Sequence, residues 1–116
     1  MSKKSKQAKA REFINAVRKE IISRDNQECI FCKVGYHMEQ ASWYGLNLKS
    51  IMHYIPRSKG GLGIEKNGAV GCQYHHEMLD NGNKGRRKEM IEIFREYLKE
   101  QYNDWNKNDL FYKKWT

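Results

Sequence analysis

No window of the sequence approaches the run of about 20 apolar residues that a membrane helix needs, and the opening "MSKKSKQAKAREF" lacks the apolar stretch of a secretory signal. A membrane partner is therefore not expected, and the expected location is the cytoplasm. Cysteine is scarce and odd in number, three in 116 residues. In a reducing compartment that excludes a disulfide framework and points to metal or redox use. Acidic residues are outnumbered, 14 against 22 Lys and Arg, giving a net charge of +8. This balance favours polyanionic partners or acidic protein surfaces. The glycines of "IPRSKGGLGIEKNG" lack the strand-to-helix setting and the G-x-G-x-x-G spacing of a dinucleotide cradle. No internal repeat is apparent.

What is present suits a single domain over 1–116, with helices flanking a small core. Hydrophobic residues make up 39% of the chain, enough for one interior, and a domain of this size gains from a metal staple when its core is divided among short elements. Phe13, Ile14, Val17, Ile21 and Ile22 recur at three-to-four spacing and predict a basic amphipathic helix over 6–25. "YHMEQASWYGLNLKSIMHY" alternates apolar and aromatic positions, which predicts two short strands about a turn at Gly45 or Asn47. Pro56, Gly60, Gly61, Gly63 and Gly68 then mark a loop. A short helix is predicted from near Cys72 to about Asp80, and a longer one from Arg86 to about Gln101 with Met90, Ile91, Phe94, Tyr97 and Leu98 on one face. Trp105, Leu110, Phe111 and Trp115 make the tail too aromatic for a linker, so it is expected to pack back on the domain.

Cys29-x-x-Cys32 and Cys72-x-x-His75 are two pairs of thiolate and imidazole donors, each spaced so that one tight turn can aim both side chains at a common point. Three thiolates and one imidazole with no open position describe a structural, tetrahedral Zn2+ site. A thioredoxin-like redox pair would instead want a strand before it and a helix opening at the first cysteine. His75 and His76 are neighbours and diverge by about 100° on a helix. That fits His75 turned to the zinc and His76 to a cleft, with the exchanged roles as the alternative.

Residues 29–80, with "CIFC", "HYIPRSKGG", "KNGAVGC" and "CQYHHEMLD" in order, resemble an HNH endonuclease domain of the ββα-metal, zinc-knuckle type. The tail "YLKEQYNDWNKNDLFYKKW" is similar to those of small phage or prophage HNH proteins. The resemblance implies an α+β fold, a ββα-metal HNH-like zinc domain (29–80) flanked by an N-terminal helix and by a C-terminal helix with its aromatic tail (86–116). It implies His53 as the general base that deprotonates a water for attack on a phosphodiester. Asn67 would brace the loop that orients this base. His76, with Asp80 one helical turn on, would hold a catalytic Mg2+ or Mn2+. The family ordinarily places Asp or His just before the base, and Met52 stands in that ligand position here. A thioether is a poor match for either cation, so the resemblance implies a degenerate catalytic metal site, which Met52→Asp would improve.

The leading functional expectation is thus an HNH-type metal-dependent DNA endonuclease-like protein. Lys4, Lys9, Arg11, Arg57, Lys59, Arg86 and Arg87 are the candidate contacts to the nucleic-acid backbone. A second is a catalytically impaired HNH-fold zinc protein of anti-CRISPR type in a bacterial host, inhibiting a nuclease such as a single-chain RNA-guided CRISPR nuclease. An exposed Met52 would serve its binding surface. A third is a non-catalytic DNA-binding zinc module.

Overall fold

The computed structural model describes residues 9–39 and 41–113. Lys4, Trp115 and the start of the predicted first helix lie outside them. The fold is α+β, built on two five-residue strands, β1 (Lys49–His53) and β2 (Gly68–Cys72). They pair antiparallel, with Ile51 opposite Val70, Met52 opposite Ala69 and His53 opposite Gly68.

Because side chains alternate along a strand, the small sheet has two packed faces. Ile51 and Val70 meet Ile21, Phe13, Val17 and Ile22 from helix α1 (Asn15–Arg24) and the segment before it. Met52 and Ala69 join the larger core with Phe31, Leu79, Phe94 and Leu98. These come from α2 (Ile30–Lys33), α4 (Gln73–Asp80) and α5 (Arg87–Gln101), while the single-turn α3 (Trp43–Asn47) precedes β1. Burial of Met90, Phe94 and Leu98 follows from their three-to-four spacing along α5.

The predicted long first helix is broken. Residues 9 and 10 are helical, Arg11 to Ile14 are not, and helix resumes at Asn15. The chain opens there because its backbone is engaged elsewhere: the Ala10 carbonyl accepts from the Gly63 N–H at 2.9 Å, and the Arg11 carbonyl is bound by His53. The two strands expected about Gly45 are also corrected. Trp43–Asn47 is helical, with Gly45 packed against Tyr74, and the partner of β1 is the Gly- and Ala-rich β2.

Met52 corrects a further expectation. It is 0% exposed and packed in the larger core, so its side chain is not on a surface. A Cβ on Gly71 would stand 2.3 Å from its Sδ, so the glycine makes the room that the thioether fills. Alternation explains the inversion, since a residue next to His53 points to the opposite side of the strand.

The loop from β1 to β2 is braced by Asn67, itself 0% exposed. Its Oδ1 accepts from the Ile55 N–H at 2.7 Å, and its Nδ2 donates to the Leu62 and Ile55 carbonyls at 2.7 and 3.2 Å. The tail closes over the same loop. Leu62 and Tyr112 donate backbone hydrogen bonds to Leu110 and Gly60, and the Trp105 Nε1 donates to the Lys66 carbonyl at 2.7 Å. Leu110 is buried, and Trp105 and Phe111 pack against the core. None of the described helices is long and apolar enough to cross a membrane.

Candidate functional site

Cys29 is the residue before α2, and Gly35, at φ +66°, turns the chain after it. This short knuckle brings Cys29 and Cys32 to one side. Cys72 is the N-cap of α4, its Sγ accepting from the His75 N–H at 3.4 Å, so the C-x-x-H spacing closes on itself. The Nδ1 of His75 then lies 3.3, 3.6 and 3.7 Å from the sulfurs of Cys72, Cys32 and Cys29, and Cys32 and Cys72 are 3.8 Å apart. A tetrahedral ion with bonds of about 2.3 Å to sulfur and 2.0–2.1 Å to nitrogen has ligand edges of about 3.8 and 3.5 Å. These four residues lie close enough to bind a metal ion, and the spacing is consistent with zinc. The Nε2 of His75 donates to the Tyr36 carbonyl at 2.6 Å, which leaves Nδ1 as its lone-pair nitrogen toward the sulfurs.

Without a cation the cluster is electrostatically awkward. The hydrogen bond with Cys72 and then burial push the Cys29 thiol up to about 11, and burial pushes Cys32 up to about 11, while Cys72, bonded by Cys29, is lowered. Of the three thiols, Cys72 is thus the one whose ionisation the surroundings favour. A dication removes that restriction by binding all three as thiolates.

His53 ends β1 with the Phe13 ring packed against its own at a tilt of 37°, centroids 4.1 Å apart. Phe13 occupies the space above Gly68, where a Cβ would come within 2.6 Å of the phenyl ring. The Nε2 of His53 bonds the Arg11 carbonyl at 2.8 Å. A carbonyl only accepts, so Nε2 carries the proton and the neutral ring has its lone pair on Nδ1. Burial lowers the His53 pKa against the pull of the Arg11 carbonyl, and the charges of Arg57 and His76 lower it further. The imidazole is thus held neutral near pH 7, the state a general base requires.

His76 faces away from the metal cluster, one position round the helix from His75. Its Nδ1 is 2.6 Å from the Ser50 Oγ, and its Nε2 is 3.4 Å from Asp80 Oδ2. His53 and His76 line two adjoining clefts of about 200 and 410 Å3. The smaller also has Arg57, Asp80 and Arg87 on its walls, and the larger has Glu12, Phe13, Arg18 and Arg57.

The structure therefore brings His53, His76, Asp80, Arg57 and Arg87 together. Asn67 stays out of the clefts, and its role is to position the loop. Lys9, Lys59 and Arg86 are exposed but do not line these clefts. Arg11 acts through its backbone on His53 and donates Nη1 to the Arg57 carbonyl at 2.7 Å. Sequence reading missed Arg18, Phe13 and Ser50 as members of the site. Only Arg18 had a legible signal, a cation on the helix whose other face is apolar. Comparison with known proteins returns no match, neither to a family model, nor to a curated protein, nor to a solved structure.

Proposed function

We propose that the protein is an HNH-type nuclease that hydrolyses phosphodiester bonds of DNA, on a ββα scaffold stapled by zinc at Cys29, Cys32, Cys72 and His75. The observation that carries this reading is that a histidine with one nitrogen already fixed by a carbonyl faces the same cleft as a His–carboxylate pair and two arginines. His53 Nδ1 takes the proton of the attacking water. Arg57 and Arg87 hold the phosphate and offset its charge. His76 and Asp80 would hold Mg2+ or Mn2+. Their 3.4 Å spacing is near the separation of about 3 Å between adjacent ligands of a small octahedral cation. Such an ion, when bound, supplies positive charge against the developing phosphorane. A cation that keeps several waters tolerates this two-ligand site, so an inward-facing Met52 does not count against it.

The inhibitor reading loses one support, an exposed Met52, because that residue is buried, and it keeps the small size of the chain and the ligand missing at position 52. The test is nicking of supercoiled plasmid in Mg2+, Mn2+ or Ni2+. Wild-type protein should nick, and His53→Ala should lower the rate by about 10^2-fold or more while keeping the fold and the bound zinc. Nicking that survives the substitution would remove the assignment.

A further inference from the structure

A pocket of about 320 Å3 lies beside the His53 cleft, lined by Arg18, Ile22, Gln27, Asn47, Ile51 and Val70 among others. Arg18 and Ile51 also line the cleft that holds His53 and His76, so the two spaces are contiguous along β1. We infer that this pocket receives one unpaired nucleobase of the substrate strand and so selects the base at a fixed distance from the cut. The inference rests on the nucleic-acid reading above and adds to it a specificity site.

The walls carry the chemistry a base needs. Ile22, Ile51 and Val70 give an apolar floor, while Gln27 and Asn47 bring amide groups that can match a base edge. Asn47 donates its Nδ2 to the Trp43 carbonyl at 2.7 Å, which restrains the amide at the pocket wall. Among the described residues, the Gln27 amide and the Arg18 guanidinium have no hydrogen-bond or ion-pair partner in the protein. Gln27 is held at φ +61° after Asn26 at +55°, a left-handed pair closed by the Gln27 N–H on the Ile22 carbonyl at 2.9 Å. Such a conformation is uncommon outside glycine, and here it sets the Gln27 side chain at the pocket wall.

Size and charge select the occupant. The volume is at the lower end of the roughly 300–1,000 Å3 of small-ligand pockets, too small for a helix or a strand of a partner protein. Arg18 at the junction with the cleft and Lys49 at the rim supply positive charge for the flanking phosphates. A base in a Watson–Crick pair cannot enter a recess of this kind, so the proposed substrate is a strand with an unstacked nucleotide.

The test measures binding without cleavage, using His53→Ala protein and short homopolymers of deoxyadenylate, deoxycytidylate and thymidylate followed by fluorescence anisotropy. One homopolymer should bind about fivefold or more tightly than another, and the combined substitution Gln27→Ala, Asn47→Ala should level them. Ile22→Trp, which fills the floor, should do the same, and Arg18→Ala should weaken all three and lower the salt slope by about 0.7. Equal binding of the three homopolymers, or a preference that survives both changes, overturns the inference. Plasmid nicking by the wild type is scored separately. Nicking without base preference leaves the nuclease reading standing and removes the pocket, whereas base preference without nicking does the reverse.

Discussion

Met52 is wholly buried, with the Cβ position of Gly71 only 2.3 Å from its sulfur and Ala69 directly opposite on β2. A carboxylate in that place would lose its water and gain no cation, and burial without a partner costs several kcal/mol or forces protonation. Met52→Asp should therefore lower stability by about 3 kcal/mol or more without raising cleavage. Met52→Leu, which keeps the volume, should cost less than about 1.5 kcal/mol. Urea titrations of the two variants check both, and a Met52→Asp protein that is stable and cleaves faster would show that the side chain reaches the metal after all. The same residue shows what a one-dimensional motif hides. Adjacent positions on a strand face opposite ways, and which of the pair turns inward depends on the partner strand, whose two glycines gave no strand signal.

At the scale of elements, the C-terminus of α1 is held by a buried ion pair that carries no motif. Asp25 is 0% exposed and receives Arg24 Nε and Nη2 at 2.7 and 3.0 Å, the Val70 N–H at 2.8 Å and the Tyr97 hydroxyl. Arg24 donates onward to the carbonyls of Glu65 and Gly68, at 2.8 and 2.7 Å, and to the Tyr102 hydroxyl at 3.0 Å. One pair thus ties α1 to β2, to the Glu65–Asn67 turn and to α5. Removing one member strands the other charge, so Asp25→Ala should destabilise the fold by about 3–5 kcal/mol. Tyr97→Phe, which deletes one hydrogen bond, should cost about 1 kcal/mol. Chemical denaturation checks both, and a loss below about 1 kcal/mol in Asp25→Ala would mean that the network is solvated. In the sequence Asp25 reads only as a helix stop. The predicted spans of α4 and α5 lie within a residue or so of those observed, because their apolar spacing is decided locally. The break in the basic N-terminal helix and the helical turn at Trp43–Asn47 were not legible. Contacts with Gly63, His53 and Tyr74, distant in sequence, decide them. The cysteine cluster was legible in full, since donor identity and spacing alone determine it, whereas the His53 cleft also needed Arg18 and Phe13, distant in sequence, to pack on the same face of the sheet.

For the whole molecule the question is what joins a core split across the two faces of a small sheet. Among the described residues, the buried hydrophobic cluster on the α1 side is Ile21, Ile51 and Val70, and the larger cluster gathers buried residues from α2, β1, β2, α4, α5 and the tail. The four residues close enough to bind a metal ion lie where α2, β2 and α4 converge, and Cys29 and Cys72 are themselves part of that larger core. A structural zinc contributes about 10–16 kcal/mol of apparent binding free energy in small domains, comparable to the entire 5–15 kcal/mol stability of an ordinary one. The purified protein should hold one zinc per chain by elemental analysis. After removal by a strong chelator under mildly denaturing conditions it should show no cooperative thermal transition, and added Zn2+ should restore the transition. An unchanged melt would mean that the apolar core suffices alone. Two substitutions separate the cysteine cluster from the His53 cleft: His75→Ala should lose the zinc and the transition, because among the described residues His75 supplies the imidazole grouped with the three sulfurs. His76→Ala should keep both and lose only nicking, since its imidazole faces Ser50 and Asp80. Zinc lost from His76→Ala but retained in His75→Ala would exchange the two roles and move the cleft to the other side of α4.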